Sequence, residues 1–93
     1  MDTVYALAQT LKRASKMRQT LELLDRFSDA MDSSTVAKKL DIQRSNARRI
    51  LTKLKKASAI EEVTGRKRGQ MFKITPEGRR ALELVKRLLS EIS

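Results

Sequence analysis

Residues Ser34–Ile60 read STVAKKLDIQRSNARRILTKLKKASAI. Asp32, Ser33 and Ser34 offer capping side chains just before Val36, Ala37 and Leu40, which predicts a short helix over about Thr35 to Leu40. Asp41, Ile42 and Gln43 leave room only for a tight turn. Arg44 to Ser58 then carries Ala47, Ile50, Leu51 and Leu54 on one face at helical spacing. A short helix, a tight turn and a longer basic helix make a helix-turn-helix.

The charge is concentrated on and just after this unit. Ser33 to Lys73 holds twelve Lys or Arg residues against three acids (Asp41, Glu61 and Glu62), a net +9 out of the chain's formal +10. Two places carry most of it: the helix Arg44–Lys56, with six cations and no acid, and the tip Gly65-Arg66-Lys67-Arg68-Gly69. A basic helix followed by a basic tip fits a nucleic-acid duplex, with the helix in a groove and the tip on the adjoining backbone. The rest of the chain is nearly neutral.

Working outward, Ile60 to Thr64 and Gln70 to Thr75 read as short strands around that tip, with Phe72 and Ile74 alternating on the second. The first strand, Ile60-Glu61-Glu62-Val63, does not alternate cleanly. Thr75-Pro76-Glu77 combines an N-cap, a proline at the first helical position and an acid in the first turn, which starts a last helix. Leu82, Val85, Leu89 and Ile92 form its apolar face, widened by Ala81, Leu84 and Leu88. Upstream, Asp2 is placed to cap a first helix along Val4, Leu7, Ala8 and Leu11, ending near Ala14. A second helix from about Ser15 places Met17, Leu21, Leu24 and Phe27 on one face, and the two together could form one bent helix. The expected fold class is mainly α with a small β-hairpin (α+β): a winged helix-turn-helix with additional N- and C-terminal helices.

Composition removes several classes of function. The 93 residues contain no Cys and no His, so disulfides, thiolate or imidazole metal sites, Ser-His triads and Cys nucleophiles are excluded. Tyr5, Phe27 and Phe72 are the only aromatics, too few for a single-strand stacking platform. Glu61 and Glu62 are expected to pair with cations across the hairpin. Asp25, Asp29 and Asp32 are expected to cap helix ends and aid solubility. No catalytic residue, cofactor or metal is expected. With no apolar run long enough to span a membrane and no signal-peptide pattern, a soluble cytoplasmic protein is expected. The small size calls for one domain over residues 1–93 and makes a partner subunit useful. Residues 1–14 are read as its N-terminal helix, 15–75 as its core and 76–93 as a C-terminal helix suited to dimerisation.

Opposite the apolar stripe, the basic helix carries Ser45, Arg48, Arg49, Thr52 and Lys56, with Arg44 and Asn46 in its first turn. Arg can give two hydrogen bonds to guanine and Asn two to adenine, while Ser and Thr serve bases or phosphates. Lys53, Lys55 and Lys56 lie further along, where backbone contact is expected.

These stretches resemble the winged-helix DNA-binding domains of prokaryotic transcription regulators of the MarR and ArsR groups, including small archaeal or archaeal-virus regulators. The resemblance rests on the quoted segment and on EEVTGRKRGQMFKITPEGRRAL, whose ITPEGRRAL portion is similar to a Leu-Thr-x-x-Gly strand-to-helix junction. It covers a little over half the chain. It implies base-reading positions at Arg44, Ser45, Asn46, Arg48 and Arg49 and a wing at Arg66, Lys67 and Arg68. It further implies a symmetric dimer held by the terminal helices, binding half-sites about 34 Å apart. For location, it implies the nucleoid, or the host cytoplasm if the protein is viral. One departure is Ala57-Ser58-Ala59 where such proteins often carry a Gly, so the helix exit is expected to rely on Ser58.

The expected function is sequence-specific binding of double-stranded DNA by a homodimeric regulator. A non-specific architectural protein and a winged-helix protein-interaction module are the alternatives that the same charge would serve.

Overall fold

The computed structural model describes residues 3–27, 30–64 and 70–92. Its elements run α1 (Thr3–Arg13), α2 (Ser15–Arg26), α3 (Ser33–Leu40), α4 (Arg44–Lys56), β1 (Ile60–Thr64), β2 (Gln70–Ile74) and α5 (Pro76–Ile92). The expected α+β winged helix-turn-helix with terminal helices is the fold observed. Asp2, Asp29 and the tip residues Arg66, Lys67 and Arg68 lie outside the described residues.

Ala14 adopts φ −102° and ψ 88°, so the first two helices are separate rather than one bent helix. On α2, Met17, Thr20, Leu21 and Leu24 face the core. Thr20 is tolerated there because its hydroxyl donates to the Lys16 carbonyl at 2.7 Å, leaving no unpaired polar atom. Phe27 departs from the expected stripe. It sits just past the helix in extended backbone, is 40% exposed, and has the Lys39 ammonium 4.7 Å from its ring centroid.

Helix α3 begins at Ser33, two residues before the expected start, because Asp32 is the cap. It ends at Asp41 in left-handed backbone (φ 55°), where the Ile42 N–H reaches back to the Ala37 carbonyl at 3.0 Å. Helix α4 stops at Lys56, before the expected Ser58, and closes in the same way. Ser58 takes φ 62°, its N–H bonds the Lys55 carbonyl, and the Ala59 N–H bonds the Leu54 carbonyl, each at 3.0 Å. This pair of bonds is a Schellman closure, with Ser in the place Gly usually fills. The expected reliance on Ser58 is thus a matter of its backbone.

Strands β1 and β2 are antiparallel, pairing Ile60 with Ile74, Glu61 with Lys73 and Glu62 with Phe72. Residues directly opposite share a face, so Glu62 lies on the same side as the buried Ile60, Phe72 and Ile74. That explains the broken alternation. A third segment was missed in the sequence: Met31 forms a bridge to Phe72 through bonds of 2.9 and 2.8 Å. This anchors the start of the helix-turn-helix to β2.

One junction joins the two halves of the chain. The Thr75 hydroxyl donates to the Ser58 carbonyl at 2.6 Å and accepts from the Gly78 N–H at 3.0 Å, capping α5, while the Thr75 N–H bonds the Ala59 carbonyl at 3.0 Å. A Cβ at residue 78 would clash with that same Ala59 carbonyl oxygen. Glycine is there because backbone passes so close. From this anchor α5 runs along α1, burying Ala81, Leu82 and Val85 with Leu7, Ala8 and Leu11. Asp25 of α2 and Arg79 of α5 pair at 3.2 Å near the same end. The wide apolar stripe of α5 is therefore largely met within the chain, leaving Leu84, Leu88 and Leu89 half-buried.

Two substitutions test the junction by thermal or urea unfolding. Gly78→Ala should destabilise by about 1–3 kcal/mol, the cost of overpacking against atoms that cannot move away. Ser58→Gly should stabilise by up to about 1 kcal/mol, because it relieves the left-handed strain while keeping every backbone bond.

Candidate nucleic-acid interface

The helix-turn-helix geometry starts from its caps. Asp32 Oδ1 accepts the Thr35 N–H at 2.8 Å and orients α3. Hydrogen bonds from the Thr35 side chain and backbone hold the Asp32 carboxyl below its ordinary pKa, with Arg44 adding a smaller attraction. The buried Val36 and Ala37 of α3 pack with Ala47, Leu51 and Leu54 of α4, and Leu40 and Ile42 close the turn as half-buried residues. Three buried positions and the half-buried Ile50 fix which way α4 faces.

The opposite face of α4 is open. Arg44, Ser45, Asn46, Arg48, Arg49, Thr52, Lys53 and Lys56, all singled out from the sequence, are exposed. Gln43 caps the helix without a side-chain hydrogen bond and the first turn holds no acid, so its amide end keeps its positive character. Thr52 donates its hydroxyl proton to the Arg48 carbonyl at 2.8 Å. Its oxygen remains able to accept. Lys53 and Lys56 border an apolar groove of about 590 Å³ along Val4, Leu7 and Thr10 of α1, so their stems can lie on carbon while their ammonium groups stay in solvent.

Lys55 stands apart from its neighbours. Its ammonium is 2.8 Å from Glu62 Oε1 on β1. Glu61 pairs across the hairpin with Lys73 at 3.4 Å, as expected, and Glu62 meets a cation of the helix, Lys55. Among the described residues no group of three or more His, Cys, Asp and Glu could hold a metal. No described helix is long and apolar enough to cross a membrane.

The architecture is shared with solved structures of transcription regulators. The chain superposes with a TM-score of 0.79 on Sco5413, a MarR family transcriptional regulator from Streptomyces coelicolor, at 18% identity, covering 96% of this chain and 63% of that one. A substituted form of MepR from Staphylococcus aureus, bound to an oligodeoxyribonucleotide, gives a TM-score of 0.74 at 17% identity, covering 94% and 67%. PcaV of Streptomyces coelicolor, a transcriptional regulator in complex with its natural ligand, gives 0.75 at 20% identity, covering 94% and 64%. At such identities the likeness establishes the MarR-like winged-helix fold. The chain spans a little under two thirds of Sco5413. No protein-family model matches the chain, and no curated protein matches it in sequence.

The cap of α3 gives a pH-dependent prediction. Because the folded Asp32 pKa is lowered, its contribution to stability is complete above the ordinary aspartate range and is lost as pH falls towards the lowered value. Asp32→Ala should cost about 1 kcal/mol at neutral pH, and the difference from wild type should shrink in unfolding curves recorded at progressively more acid pH.

Proposed function

We propose that this chain is a dimeric transcriptional regulator that binds double-stranded DNA sequence-specifically. Helix α4 enters the major groove, and Arg66, Lys67 and Arg68 rest on the backbone or in the minor groove. The observation that carries this reading is the face of α4. The second helix of a helix-turn-helix exposes Arg44, Ser45, Asn46, Arg48, Arg49 and Thr52 together, with no acid on the helix. Arg and Asn supply two-bond recognition of guanine and adenine, and Lys53 and Lys56 supply phosphate contacts further along. That structures of the same fold are transcription regulators, one of them solved on an oligonucleotide, supports the assignment.

A second copy meets the terminal helices. Leu84, Leu88 and Leu89 extend the buried stripe of α5 into the half-exposed zone, and Tyr5 of α1 is 50% exposed. Two copies related by a two-fold axis would present two α4 helices to half-sites about one helical turn apart. The protein acts in the cytoplasm at the nucleoid and needs no catalytic group.

Selection of bound sequences from a random duplex pool should enrich a motif with two-fold symmetry. Asn46→Ala or Arg49→Ala should lose about 1–3 kcal/mol of discrimination at one position of each half-site. Equal affinity for selected and scrambled duplex, with the same salt dependence, would reassign the chain as an architectural protein.

A further inference from the structure

The positive surface is interrupted at the base of the hairpin. Lys55 meets Glu62 at 2.8 Å on one face of the hairpin, and Lys73 meets Glu61 at 3.4 Å on the other. The other five cations of α4 (Arg44, Arg48, Arg49, Lys53 and Lys56) make no salt bridge among the described residues.

Glu62 is also an unexpected residue for its place. The strand register puts it on the same face as the buried Ile60, Phe72 and Ile74, yet Glu62 itself is exposed beside α4. A half-exposed ion pair adds little stability, so folding alone gives no reason to place an acid there. What the acid does is place a carboxylate against one cation of α4. A lysine held by a charge-assisted bond, with a carboxylate beside it that repels phosphate, no longer serves as a backbone contact.

Resting on the duplex-binding reading above, we propose that Glu62 sets the strength of duplex binding by acting through Lys55: it withholds one cation of the recognition helix from the DNA backbone. Lysine–phosphate contacts strengthen binding to every sequence equally. Removing one therefore weakens binding to every duplex alike and makes that binding less dependent on salt.

The test is the salt dependence of binding to an unrelated duplex, for wild type, Lys55→Gln, Glu62→Gln and the double variant. Each cation that contacts phosphate adds about 0.9 to the slope of log K against log salt. Lys55→Gln should leave the slope at its wild-type value. Glu62→Gln should steepen it by about 0.9 and tighten binding to selected and unrelated duplex alike, several-fold at low salt. The double variant should return to the wild-type slope. A shallower slope for Lys55→Gln, or an unchanged one for Glu62→Gln, would overturn the proposal while leaving duplex binding intact. No duplex binding by the wild type would overturn both. The Lys55→Gln arm can still overturn the proposal if the Glu62 variant folds poorly.

Discussion

The close approach of Thr75 and Gly78 to the Ser58–Ala59 backbone is the constraint on which the rest depends. The Ser58 and Ala59 carbonyls mark the exit of α4, and both are held from the start of α5. The absent side chain of Gly78 lets them come this near. Through this contact the direction of α4, the exit of the hairpin and the course of α5 are set together. On the far side of the hairpin, the Met31–Phe72 bridge ties β2 to the entry of α3. The helix-turn-helix is thus gripped at both ends, leaving the outer face of α4 free of structural duty.

That freedom gives the charge its arrangement. A helix with three buried positions and one half-buried can spend its remaining residues on a partner, and six of those in α4 are cations. They are not equivalent. Arg44, Arg48 and Arg49 are exposed and unpaired by salt bridges among the described residues, Lys53 and Lys56 border the groove along α1, and Lys55 is paired with Glu62 of β1. A uniformly basic helix in sequence is a partitioned one in space.

Most of the architecture was legible because local signals agreed with the fold. The Asp32 cap, the tight turn, the Ala47-Ile50-Leu51-Leu54 stripe and the Thr75-Pro76-Glu77 start each rest on contacts within a few residues. Where the expectation failed, a distant partner decided. Phe27 fits a helical stripe by spacing, yet the helix ends before it. Nothing near Met31 announces a bridge to a residue forty-one positions away. Glu62 reads as a hairpin residue because hairpin neighbours are readable from register, whereas its contact with Lys55 of the preceding helix is not.

The sequence by itself determined that the chain folds as a helix-turn-helix with a hairpin and flanking helices, and that its positive charge gathers on α4 and the tip. Helical periodicity, capping chemistry and charge counts are properties of neighbouring residues. Only the tertiary structure decided that α1 covers α5, why residue 78 must be glycine, and which lysine of α4 is already paired. Those outcomes depend on distances between segments far apart in the chain, which no local pattern encodes.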